Sequence, residues 1–135
     1  MPTIPLASPP ASGRGSRPTP PTPGGDVQTQ AMLQVFLNVF AWGMEPQAAI
    51  EQPRFASYSF PSSFEPHEYY PGLLKLEGRI DKATGAALGA RGHKVEWWPD
   101  WVWLAGCVCA IHSDAKKGIM TGGADPRRPA YAVGW

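Results

Sequence analysis

The sequence predicts an α+β fold in which helices come first and strands last. Three observations point to it. A long, densely apolar stretch of helical character opens the foldable region, short alternating apolar segments follow it, and a strand–turn–strand pattern closes the chain. Helices followed by strands favour α+β over a regularly alternating βαβ series. The 135 residues fit at most one ordinary domain, and 43% apolar with 17% charged is a globular composition. The 16 prolines and 15 glycines are spread unevenly, with eight of the prolines before Gly24. Residues 1–21 therefore read as a disordered Pro/Ser/Gly-rich leader, and residues 22–135 as the folded segment. Within the leader, "RPTPPTP" favours polyproline II; a linker is the simpler reading of it, and a proline-rich ligand the alternative.

The first predicted element is a helix over Asp26–Trp42, "DVQTQAMLQVFLNVFAW". Asp26 suits its N-cap and Gly43 its C-terminal stop. Apolar residues cover most of its circumference, and Gln30, Gln34 and Asn38 form one narrow polar stripe at i, i+4, i+8. Such a helix is expected to be buried on both sides, in a layered architecture or against something outside the chain. "EPQAAIEQP" predicts a short helix that starts near Pro46 and is stopped by Pro53. A strand over Arg54–Phe60 follows, then a proline-punctuated loop, "PSSFEPHEYYPG", and a short strand at Leu73–Leu76. Ile80–Ala90 predicts a small-residue helix closed by Gly92, and Lys94–Trp98 a strand. Gly106–Ser113 and "IMTGGAD", joined by "DAKKG", predict the terminal hairpin.

The chemical candidates are few. Gly24 and Gly25 stand directly before the long helix. Glycines let a ligand approach the backbone, and N–H groups at a helix N-terminus form a nest for an anion or oxyanion; a flexible joint is the simpler alternative. His93 and His112 have no partner at catalytic spacing. Glu65, His67 and Glu68 sit together in the proline-rich loop, where a structural role outweighs metal binding. "GGADPRRP" (Gly122–Pro129) reads as a structural turn with an Asp–Arg pair, rather than a carboxylate-contacting loop. Cys107 and Cys109 fall at i, i+2 on a predicted strand and read as buried free thiols, compatible with a reducing compartment. No zinc spacing is present, so neither metal nor cofactor is expected. A net charge of +1 without a basic stripe speaks against nucleic acid. "MPTIPLASPP" lacks the features of a signal peptide and no apolar run suits a bilayer, so no membrane partner is expected and the compartment is left open, cytoplasmic by default.

Four segments, taken in order, carry a resemblance. "TPGGDVQ" opens a long helix; Trp42–Phe55 reads x-G-M-x-P-Q-x-A-I-x-x-P-R-F; "LGARGHKV" spans Leu88–Val95; and "GGADPRRPAYAVGW" closes the chain. Together they resemble the C-terminal part of the small subunit of the γ-glutamyltranspeptidase family, over about Thr22–Trp135. The resemblance implies a partial αββα N-terminal-nucleophile hydrolase sandwich. It implies γ-glutamyl transfer from, or hydrolysis of, glutathione-like amides, with a γ-glutamyl compound as substrate. It also implies oxyanion contacts from Gly24 and Gly25. The family's nucleophilic Thr segment, upstream of its Gly-Gly turn, has no match here, and Thr3 lacks that context. The tail is reduced at Arg128–Ala132. The expectation is a fragment carrying an oxyanion wall but no catalytic nucleophile, and inactive alone. The alternative is a non-catalytic interaction module that completes a sandwich with a separately encoded, large-subunit-like partner.

Overall fold

The computed structural model describes residues 25–134. Gly24 and the predicted leader lie outside the described residues. The elements run α1 (Val27–Phe40), α2 (Pro46–Glu51), β1 (Phe55–Ser57), β2 (Leu73–Glu77), α3 (Lys82–Ala90), β3 (Lys94–Trp98), a 3₁₀ turn (Trp103–Ala105), β4 (Ala110–Asp114) and β5 (Ile119–Gly123). β1, β2 and β3 form one sheet, and β4 and β5 form the expected hairpin. β1 runs antiparallel to β2, whereas β2 and β3 are parallel and joined through α3. One βαβ crossover thus sits inside the α+β arrangement, on the strand–helix–strand order expected over Leu73–Trp98. A parallel pair needs such a crossover, and the nine residues of α3 supply it.

α1 is shorter than expected at both ends, and two of its expected features change. Asp26 has helical backbone angles, φ −64° and ψ −13°, and its side chain makes no capping bond. An N-cap normally holds extended angles that fold the side chain back onto its own helix. The helix was also expected to be buried on both sides. Instead Val27, Ala31 and Val35, at four-residue spacing, form one buried stripe. Leu33 and Phe36 remain 57% and 51% exposed, and Trp42 67%. Past Phe40 the chain closes with the Met44 N–H on the Asn38 carbonyl, and Gly43 takes φ +68°.

The polar stripe of α1 is a structural joint. The Gln30 amide donates to the Ser57 carbonyl (3.0 Å) and accepts from the Ser57 N–H (2.8 Å). Gln34 does the same with Phe55, at 2.9 and 3.1 Å. Four helical residues rise about 6 Å and two strand residues about 6.6 Å, so two glutamines can pair with alternate residues of β1. They stand where a neighbouring strand would, and they satisfy the free edge of the sheet.

The core has two parts, which meet the buried stripe of α1 at successive positions. Ala31 and Val35 pack with Ala49, Ile50 and Val108, while Val27 packs with Ala56, Trp98 and Ala105. Gly106 lets the chain cross α1 closely: a Cβ there would lie 2.9 Å from that of Ala31, and its φ is +84°. This crossing corrects the prediction of a strand beginning at Gly106. The Gly106 carbonyl accepts from Arg54 and the Val108 N–H donates to Asp125, so both backbone groups are bound by side chains and the ladder starts only at Ala110. Cys107 and Cys109 therefore precede the strand. Cys109 is exposed and Cys107 only half-buried, which corrects the expectation of two buried thiols. Burial pushes the Cys107 thiol above its ordinary range. Among the described residues no helix is long and apolar enough to cross a membrane.

Candidate functional site

Gly25 stands at the N-terminal end of α1, on the rim of a cavity of about 260 Å³. Its carbonyl accepts from the Gln28 N–H, which begins the helix (3.1 Å). A Cβ built on Gly25 would lie 2.8 Å from Cε2 of Phe64, so the turn and the proline-punctuated loop are in direct apposition. Much of the rest of the lining is aromatic, with Tyr58, Phe60, Tyr70 and Trp103.

Asp26 locks that loop to the helix. Its carboxylate accepts from the Ser63 hydroxyl and from the Ser63 N–H, the latter at 2.8 Å. The Ser63 hydroxyl, followed by its N–H, holds the Asp26 carboxyl below the usual carboxylate range. The residue expected to cap α1 thus anchors a segment 37 positions away. Inside the loop the Ser62 N–H donates to the Glu68 carbonyl (2.9 Å) and Tyr70 Oη donates to Glu68 Oε2 (2.7 Å).

The other candidates remain apart from this site or serve the fold. Nδ1 of His67 lies 2.8 Å from the Ser62 carbonyl and its Nε2 lies 3.2 Å from Glu65, while Glu68 turns to Tyr70. No group of three or more His, Cys, Asp or Glu that could hold a metal exists among the described residues. The ring of His112 packs edge-on against Phe40. Of the pair expected at the oxyanion turn, the structure places Gly25 at the cavity rim; Gly24 lies outside the described residues.

"GGADPRRP" is joined to the rest of the fold by an ion network. Arg54 pairs with Asp125 at 2.7 Å, and Arg127 pairs with Glu77 at 2.5 Å and with Asp125 at 3.2 Å. The Glu77 and Arg127 side chains are fully buried. Arg54 and Arg127 also donate to the Ile50 carbonyl, at 3.0 and 3.1 Å, and Arg127 reaches the Gln52 carbonyl at 2.9 Å. These bonds satisfy carbonyls left open at the end of α2. Burial pushes Glu77 up, but the hydrogen bonds from Arg127 and the Arg54 N–H outweigh it and leave the carboxyl below its ordinary range. The Asp–Arg pair read from the sequence is present. Its partners, Arg54 and Glu77, were not singled out, although Glu77 ends the apolar strand "LLKLE" and a carboxylate buried there requires a cation.

Residues 21–135 match the family described as Gamma-glutamyltranspeptidase. The glutathione hydrolase-like YwrD proenzyme of Bacillus subtilis (strain 168) is 37% identical over 113 residues, spanning 84% of this chain and 20% of that protein. The glutathione hydrolase proenzyme of the same organism is 30% identical, over 84% of this chain and 17% of that protein. Among solved structures, a cephalosporin acylase from Bacillus halodurans superposes with a TM-score of 0.69 at 28% identity, covering 83% of this chain and 19% of its own. The chain therefore spans about a fifth of the curated relatives it matches, and its mixed helix–strand fold is that of N-terminal-nucleophile hydrolases.

Proposed function

The chain belongs to the γ-glutamyltranspeptidase family, and from that premise we propose that Gly24 and Gly25 form the oxyanion turn of a γ-glutamyl transferase or hydrolase. In such a reaction an N-terminal Thr attacks a γ-glutamyl amide, and backbone N–H donors stabilise the oxyanion of the tetrahedral intermediate. Gly25 at the head of a 14-residue helix, beside an open cavity, carries this reading. The helix N-terminus favours developing negative charge, and the absence of a Cβ lets the Phe64 ring close against the turn. Asp26 holds the facing loop, so the turn meets substrate already organised.

The 135 residues alone are proposed to be inactive, because no segment matching the family's Thr nucleophile accompanies the turn. Purified chain is expected to release no p-nitroaniline from γ-glutamyl-p-nitroanilide. Turnover by the chain would overturn the claim of inactivity, and turnover that survived Gly24→Ala and Gly25→Ala would overturn the site assignment.

A second reading has one observation in its favour. Leu33, Phe36, Leu37 and Phe40 leave an apolar strip of α1 open, extended by Trp42 just past its end, as in a module that completes its sandwich with a separately encoded partner. Sedimentation that shows a well-folded monomer independent of concentration would count against it.

A further inference from the structure

Resting on the oxyanion reading above, we propose that the cavity beside Gly25 receives an aromatic substituent of the amide substrate that carries no carboxylate. The walls supply the first half of the reasoning. Tyr58, Phe60, Phe64, Tyr70 and Trp103 line an open space of about 260 Å³, large enough to admit a phenyl-sized group. Rings so arranged offer offset and edge-on contacts to another ring.

Charge supplies the second half. Asp26 and Glu68 are the carboxylates among the described lining residues, and none of those residues is Lys, Arg or His. The hydrogen bonds from Ser63 favour the ionised form of Asp26, and Glu68 accepts from Tyr70 Oη at 2.7 Å. Arg128 lies 5.6 Å from the centroid of the Trp103 ring but does not line the cavity. A substrate carboxylate in this space would meet two like charges with no cation among the described lining residues to offset them, whereas an ammonium would be attracted. Neutral or cationic aromatic amides are therefore favoured over those whose corresponding part ends in a free carboxylate, such as the Cys-Gly portion of glutathione.

The test is a binding titration of the full chain, followed by backbone amide shifts and tryptophan fluorescence. The probes are phenethylamine, phenylacetate and the dipeptide Cys-Gly. Phenethylamine is expected to shift Gly25, Tyr58 and Trp103 and to bind about tenfold more tightly than phenylacetate, with Cys-Gly weakest. Phe64→Ala should weaken both aromatic probes. Glu68→Gln, which leaves the Asp26–Ser63 anchor in place, should narrow the gap between them, and Asp26→Asn should narrow it further. Equal or tighter binding of phenylacetate, or no shifts around the cavity with phenethylamine, would overturn the proposal. The titration needs no turnover, so its failure is distinguishable from failure of the oxyanion assignment, which is read from Gly25→Ala kinetics.

Discussion

Glu77→Gln removes one charge from a cluster with almost no access to water. The Glu77 carboxylate accepts from Arg127 Nε at 2.6 Å and Nη2 at 2.5 Å, from Arg79 Nη2 at 3.1 Å and from the Arg54 N–H at 2.9 Å. A glutamine offers one acceptor oxygen in place of two. Its NH₂ group must then face a guanidinium or a backbone N–H, both donors. About two charge-assisted bonds are lost, each worth roughly 1.5–3 kcal/mol, and Arg127 keeps a buried charge with one carboxylate partner fewer. Breaking one side of a buried pair costs about 3–5 kcal/mol. With a urea dependence of roughly 2 kcal/mol per molar for a domain this size, the unfolding midpoint should fall by about 2 M. Urea titration followed by tryptophan fluorescence reads this directly, because Trp98 is buried in the core. The control is Glu96→Gln, which breaks the exposed 3.0 Å pair with Lys75 and should cost under about 1 kcal/mol. If Glu77→Gln cost no more than Glu96→Gln, the reasoning about this cluster would be refuted.

Three further outcomes follow from the same contacts. Gln34→Leu strips the Phe55 N–H and carbonyl of their partners and should destabilise by about 1–3 kcal/mol, with hydrogen exchange accelerated at Phe55. Gly123→Ala would place a Cβ 2.9 Å from the Gln47 nitrogen and 3.0 Å from the Pro46 carbonyl carbon; backbone cannot yield as a side chain can, so a loss of about 1–3 kcal/mol is expected on urea unfolding. Glu77 has a folded pKa below its ordinary 4.5, so its stabilisation is full above that value and is lost as pH falls through the lowered one. The urea midpoint should therefore decline below about pH 4.5, and Glu77→Gln should flatten that decline.

Much of this fold could be read from residue patterns, because local chemistry settles it. Lys94–Trp98 is a strand with the expected bounds, and the hairpin at Ala110–Gly123 lies where its turn residues place it. Pro46 and Pro53 frame α2 as proline must. Long-range partners were not legible. The stripe of Gln30, Gln34 and Asn38 was visible, but a period-3.6 pattern cannot say that a strand edge would use it. Asp26 has the residue type of an N-cap, yet Ser63 competes for its carboxylate and wins. The predicted strand over Arg54–Phe60 shrinks to Phe55–Ser57, because Arg54 is drawn into the ion network and the loop leaves the sheet after Ser57. At the candidate site, Gly25 could be found from its place before a helix, but the aromatic wall comes from segments whose meeting only the tertiary fold arranges.

The most direct test of the central claim is a chimera in which Thr22–Trp135 replace the matching segment of the Bacillus subtilis glutathione hydrolase proenzyme, which is 30% identical there. The measured quantity is kcat for γ-glutamyl-p-nitroanilide, with and without Gly25→Ala. Phe64 is half exposed and able to move aside, so the variant should still fold. An oxyanion turn predicts an active, self-processed chimera whose kcat falls on Gly25→Ala: the alanine keeps the backbone N–H, so the loss comes from its Cβ displacing Phe64 and crowding the oxyanion, not from a missing donor. A folded, self-processed chimera that turned over equally well with alanine at position 25, or that did not turn over at all, would contradict it.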